Sequence, residues 1–290
     1  MEVFKNNPNI YRLIQHKEET PIDKLAENIE WLRKKYNCEK VIDFSESIEV
    51  ALSQHPRSPN YKLSKPERIA RFNRNFYEYS FEHAGHSWEG VDLRPELFFD
   101  HNEIEDARKH LKEKQFNVLI GLSGSGTNKC WPWMMDLCNE LSAEYPDIHF
   151  ITVGDVKCQL LEDSMDGNIT KLSGNVSMRT SMALTGLVDL VIAPDTGIIH
   201  ASGCYQTPKI CLLGHNTKES ITKHFKNDHS IESDPELAPC SPCLFLIYDY
   251  KLQCPHHLET KSALCMGEGI PKIKVYEKVK EIYAEFKKRS

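Results

Sequence analysis

Val188-Asp-Leu-Val-Ile-Ala-Pro-Asp195-Thr-Gly-Ile-Ile-His200-Ala-Ser-Gly203 is the stretch on which the fold turns. Residues 188–193 are nearly all apolar, as a strand covered on both faces of a parallel sheet requires. A polar turn follows, then the apolar spacing of a helix start. Asp195 or Thr196 is placed to cap that helix, and Gly197 has no side chain to keep a ligand from the backbone. Free N–H groups there, with the positive end of the helix dipole behind them, favour an anion such as a phosphate group. Taken alone, the segment is explained equally well as an ordinary capped helix after a strand.

A second segment is built the same way. Asn117–Leu122 is a short apolar strand, followed by Ser123-Gly124-Ser125-Gly126-Thr127-Asn128-Lys129 and then Cys130-Trp131-Pro132. A helical pattern runs on to Tyr145, with Trp133, Met134, Leu137, Cys138 and Leu141 in one apolar stripe. The turn offers glycines, hydroxyls and a lysine, all suited to phosphate oxygens. It is not a Walker A loop: Gly121 and Gly126 have that spacing, but Thr127 stands where the lysine belongs. Nor is it the dinucleotide fingerprint, because Lys129 replaces the third glycine.

Together these motifs resemble glycosyltransferase family 9, the ADP-heptose-using heptosyltransferases. Ile151–Gly154 as a strand end and Leu172–Met178 as a later loop fit the same pattern, and the resemblance runs from about Phe116 to Ile270. It implies an α/β protein of GT-B-like fold, with a Rossmann-like parallel sheet in the second half that binds the sugar donor. Carried over by residue, Ser125, Thr127 and Lys129 would face the donor diphosphate, with Ser123, Gly124 and Gly126 in the same loop. Asp195, Thr196 and Gly197 would complete the cradle, His200 would sit near the phosphates, and Met178 beside the base or ribose. The implied donor is ADP-heptose or another nucleotide-diphosphate sugar, and the acceptor a saccharide or protein hydroxyl. Transfer would invert the anomeric carbon and need no divalent metal, since Lys129 balances charge on the leaving diphosphate.

Four of the ten cysteines cluster as Cys240-x2-Cys243-x10-Cys254-x10-Cys265. That set has the ligand count and reach of a tetrahedral thiolate site, with His256 and His257 as further candidates. Disulfides are the competing explanation. No signal peptide is apparent and many thiols look unpaired, which favours a reducing, cytoplasmic setting. The cluster resembles the four-cysteine iron finger of autotransporter heptosyltransferases, including the turn Cys254-Pro-His-His257. Thiolate chemistry alone does not choose between iron and zinc, and four protein ligands make the ion structural. The other six cysteines read as small buried hydrophobes.

With 290 residues there is room for one large or two moderate domains. The net charge of −6 argues against general nucleic-acid binding. No apolar run approaches the roughly 18 residues of a membrane span. Lys272–Arg289 has the spacing of an amphipathic helix, which in a GT-B protein packs back across the domain boundary. The expected organisation is a truncated, acceptor-side Rossmann-like half over 1–102, a nucleotide-sugar-binding domain over 103–237, a four-cysteine metal-binding insertion over 238–270 and a C-terminal helix over 271–290. Oligomeric state stays open.

The N-terminal third departs from the family pattern. Asn7–Ile14 and Lys40–Phe44 read as strands, and Pro21–Tyr36 as a helix. Ser64–Tyr79 reads as one helix-like run with a charged and an aromatic face, and Asp100–Lys114 as a linker helix. The family's opening strand and glycine-rich turn, which carry its catalytic aspartate, are not found, so no catalytic residue is assigned. Asp43 and Glu46 are better explained as a helix cap or solvent-facing acids. Two alternatives follow: a non-catalytic nucleotide-sugar-binding protein, or a metal-stabilised interaction domain around 238–270.

Overall fold

The computed structural model describes residues 2–14, 22–44, 62–245, 254–260 and 262–289. Six strands form its centre: β1 (Phe116–Gly121), β2 (Ile148–Val153), β3 (Ile169–Lys171), β4 (Leu190–Pro194), β5 (Lys209–Leu213) and β6 (Ile231–Glu232). All neighbours pair in parallel, in the order β3-β2-β1-β4-β5-β6. Strands β1, β2, β4 and β5 are buried along their whole length, which is why they read as largely apolar runs.

Alternation along β1 divides the core in two. Val118 and Ile120 point to a core shared with α5 (Met134–Glu144) and α10 (Lys272–Arg289), through Leu137, Leu141, Val275 and Val279. Leu119 points to the opposite core, shared with α7 (Met178–Leu184) and α8 (Gly197–Ser202) through Ala183, Leu184 and Ile199. The C-terminal helix has the expected bounds, but it seals one face of the sheet along α5, with Tyr283 and Phe286 against Phe116, rather than crossing to another half. Of the six scattered cysteines, Cys138, Cys158 and Cys211 are buried as expected, whereas Cys38 is exposed.

Buried His149 ties three strands together. Its Nδ1 lies 2.8 Å from Asn117 Oδ1 on β1, and its Nε2 2.8 Å from Thr170 Oγ1 on β3. Burial, with a contribution from Lys112, pushes its pKa down to about 4. Between that value and the ordinary 6.5 the unfolded chain binds the extra proton, so stability falls as pH drops through this window. Denaturant unfolding from pH 7 to 4.5 should record this loss, and His149→Gln should reduce its slope by about 1.4 kcal/mol per pH unit.

The N-terminal segment differs from expectation. Among the described residues no strand precedes Phe116. Residues 7–14 turn instead, because Asn6 takes a left-handed φ of 63° and Asn7 accepts at 2.9 Å from the Asn9 N–H. Among the described residues, 40–44 pair with no strand; they lie against the end of a helix, where His83 Nε2 contacts the Asp43 carbonyl at 2.6 Å. The helix α1 spans Ile22–Lys35, and α6 (Gln159–Glu162) and α9 (Leu264–Gly267) are single turns; Glu46 lies outside the described residues. The run Ser64–Tyr79 breaks into α2 (Lys65–Phe72) and α3 (Phe76–His83), because Asn75 leaves the helix and caps the second one through Tyr77 and Glu78 N–H groups. The linker helix stops early, as α4 (His101–Arg108). Its Glu103 receives buried Arg179 of α7 at 2.5 and 2.8 Å, and this pairing holds the Glu103 carboxyl down at about 2.

Candidate functional site

In a doubly wound sheet of this order, the strand sequence reverses direction between β1 and β4, and a crevice opens there at the carboxyl ends of the strands. The loop 123–129 leaves β1 at that point, and the turn 195–197 leaves β4 beside it. The two touch. A Cβ built on Gly124 would lie 2.6 Å from Lys129 Cβ and 3.1 Å from Thr196 Cγ2, so this position has no room for a side chain. A Cβ on Gly197 would meet nothing within 4 Å, which leaves the start of α8 open.

Asp195 is the hub of the site. It is 5% exposed and faces inward, instead of capping α8. Lys129 Nζ stands 3.2 Å from Asp195 Oδ2, and Asn216 Nδ2 donates to the same oxygen at 2.7 Å. His200 Nε2 lies 3.1 Å from Oδ1, and His215 Nε2 4.0 Å from Oδ2. Burial alone would push this carboxyl up, but Lys129, the His200 hydrogen bond and the two imidazoles outweigh it and hold the group well below the usual carboxylate range. His215 is itself pushed down to about 4, by burial first and then by Lys129.

Around this hub several polar atoms are buried without a hydrogen-bond partner inside the protein. Thr127 Oγ1, Asn128 Oδ1, Thr196 Oγ1 and His215 Nε2 account for four of the seven such atoms among the described residues. Native proteins leave few buried polar groups unpaired, so four in one crevice with a lysine point to a polar ligand. Thr196 takes the cap position of α8 without a side-chain cap bond, which leaves its hydroxyl for that purpose.

The remaining candidates are placed differently. Ser123 Oγ turns to Cys158 Sγ at 3.2 Å, and Ser125 is exposed. Met178 is exposed at the start of α7. Sequence reasoning missed Asn216, His215 and Tyr77. The first two follow the apolar strand β5 as a polar turn, the same signal that drew attention to the turns after β1 and β4.

The cysteine cluster sits next to this crevice. Ser241 Oγ donates to the Gly214 carbonyl at 2.7 Å, and Cys265 Sγ lies 2.9 Å from where a Gly214 Cβ would be. From α2, Lys65 Nζ donates to the Pro239 and Ser241 carbonyls at 2.7 and 2.6 Å, and Arg68 Nε to the Cys243 carbonyl at 2.9 Å. All four cysteines are free thiols. Burial pushes Cys243 up to about 11, with Cys254 and Cys240 adding to the effect, and Cys265 is raised by burial and by the other three. The four thiols therefore share one electrostatic neighbourhood. Among the described residues, however, no group of three or more histidine, cysteine, aspartate or glutamate side chains is arranged to hold a metal ion.

A family model described as glycosyltransferase family 9 (heptosyltransferase) matches residues 81–244, more than half of the chain. Among solved structures, a family 9 glycosyl transferase from Veillonella parvula DSM 2008 superposes with a TM-score of 0.54 at 11% identity, covering 73% of this chain and 61% of that one. The dodecameric iron-containing heptosyltransferase TibC, in complex with ADP-D-beta-D-heptose, gives 0.53 at 11% identity, with 74% and 55% covered. TibC from enterotoxigenic E. coli H10407 gives 0.52 at 13%, with 74% and 57% covered. The chain thus spans somewhat over half the length of these structures, and the likeness is one of fold. No curated protein matches the chain. Among the described residues no helix is long and apolar enough to cross a membrane.

Proposed function

This chain belongs to glycosyltransferase family 9, and from that premise we propose that it binds the diphosphate of a nucleotide sugar between β1 and β4 and transfers the sugar to a saccharide or protein hydroxyl. The observation that carries this reading is the set of buried polar atoms of Thr127, Asn128, Thr196 and His215 that lack a hydrogen-bond partner, together with Lys129. Phosphate oxygens would supply the missing partners, and Lys129 a charge-assisted contact. Gly197 leaves the approach clear, and Ser125 stays a candidate for the diphosphate and Met178 for the base or ribose. ADP-heptose is the leading donor.

In the proposed reaction the bond from the anomeric carbon to the diphosphate oxygen breaks as the acceptor oxygen attacks from the opposite face. The leaving diphosphate gains negative charge, which Lys129 offsets, and the acceptor proton passes to a base that remains unassigned. No step requires a divalent metal. Calorimetry with ADP, GDP, UDP and CDP tests the binding reading. Selective ADP binding supports it, and binding of none of the four overturns it. Release of ADP from ADP-heptose with and without an acceptor then separates transfer from binding alone.

The same reading includes a structural iron or zinc ion on Cys240, Cys243, Cys254 and Cys265. Its support is the donor set and the shared electrostatic neighbourhood of the thiols. The sulfurs are not drawn into a metal-holding arrangement in this structure, so no chemical step runs through the ion. Elemental analysis of the purified chain should find about one iron or zinc per molecule, and Cys254→Ser should lose it. A metal-free wild-type chain would remove this part of the proposal.

A further inference from the structure

His200 lies within the cradle, yet both of its ring nitrogens are already engaged. Nε2 faces Asp195 Oδ1 at 3.1 Å, and Nδ1 faces the Tyr77 hydroxyl at 3.1 Å. Tyr77 comes from α3, which precedes the first strand of the sheet and stands far from His200 in sequence. That helix is pinned on both sides of the tyrosine. The Phe76 N–H donates to the Ser220 carbonyl at 3.1 Å, and fully buried Asn75 donates to the Glu219 carbonyl at 3.2 Å. Glu78 meets Lys223 Nζ and His224 Nε2, each at 2.9 Å. Phe225 stands edge-on to the His200 ring at 6.2 Å and tilted against Tyr77 at 6.3 Å. A Cβ at Gly203 would lie 2.5 Å from the Phe225 ring, so glycine makes this cage possible.

We propose that Tyr77 is a positioning residue of the cradle: its hydroxyl locks His200 in the Nε2–H tautomer, and His200 in turn holds Asp195 so that Lys129 is presented to the diphosphate. An imidazole nitrogen that accepts a hydrogen bond carries no proton, so the ring proton sits on Nε2 and donates to Asp195. Burial, with Cys204 and Asp195 adding, raises the Tyr77 pKa, which keeps the phenol a donor. With Oδ1 satisfied by His200, Oδ2 is left for Lys129 and Asn216. Without the phenol the ring is free to take the other tautomer, whose Nε2 lone pair would face the carboxylate and loosen Asp195.

The inference rests on the diphosphate reading for its consequence but not for its test. Long-range 15N–1H NMR of imidazole-labelled protein at pH 7.5 reads the His200 tautomer directly, with His200→Asn assigning the signal. Tyr77→Phe keeps the ring against Phe225 and removes only the hydroxyl. The expected result is the Nε2–H tautomer in the wild type, a mixture in Tyr77→Phe, and ADP affinity weakened about fivefold, as loss of one ordinary hydrogen bond gives. A wild-type Nδ1–H or doubly protonated ring, or an unchanged tautomer in Tyr77→Phe, overturns the proposal. If the tautomer responds as expected but the wild type binds no nucleotide, the diphosphate reading fails and the Tyr77–His200 relay stands.

Discussion

Lys129→Ala is expected to weaken nucleoside diphosphate binding by about a hundredfold, the value of roughly one charge-assisted contact to phosphate. Lys129 is the cation paired with Asp195 in the crevice, at 3.2 Å, and it is mostly shielded from water. Its removal acts twice. In the proposed complex the phosphates would lose their positive partner, and the Asp195 carboxylate, no longer neutralised, would repel them. Calorimetric titration with ADP measures the effect. Unchanged affinity would take Lys129 out of the binding site. Asp195→Asn provides the control: it removes the buried negative charge and keeps Lys129, so its affinity should stay within about tenfold of wild type.

The second large effect is on stability. Asp195→Ala removes the hub that Lys129, His200 and Asn216 share, leaving a partly buried cation and a buried amide without their acceptor. Breaking a buried ion pair from one side costs about 3–5 kcal/mol. For a chain of this size that lowers the melting temperature by roughly 10 °C. The sign of the pH dependence follows from the depressed carboxyl. Its stabilising contribution is fully present above the unfolded aspartate range near pH 4 and disappears only as pH falls below it. The melting deficit of Asp195→Ala should therefore be constant from pH 5 to 8 and shrink only in stronger acid. A deficit that changes steeply between pH 5 and 8 would mean that the neighbouring histidines, not Asp195, carry the stability.

The parallel sheet was legible because both faces of its strands are covered. Runs such as Asn117–Leu122 and Val188–Pro194 have almost no polar side to place in water, and a strand inside a covered sheet buries them along their length. The amphipathic helix Lys272–Arg289 was legible to the residue because its apolar spacing matches the helical period. The N-terminal readings failed where local chemistry overrode hydropathy. Asn7 and Asn75 bond to nearby N–H groups, turning one predicted strand and splitting one predicted helix. The charged face of Ser64–Tyr79 binds carbonyls of the Pro239–Cys243 turn through Lys65 and Arg68, a partner that no local pattern names.

By itself, the sequence determined the strand–turn–helix units, the two polar loops and the cysteine cluster, since each is written in neighbouring residues through period, turn chemistry and spacing. Only the tertiary structure decided that Asp195 turns inward to pair with Lys129 from a different βα unit, and that Asn216, His215 and Tyr77 join it. Those contacts depend on the order in which parallel strands lie side by side. Adjacency of β1 and β4 is fixed by packing of whole helices on the sheet, and no local pattern encodes it.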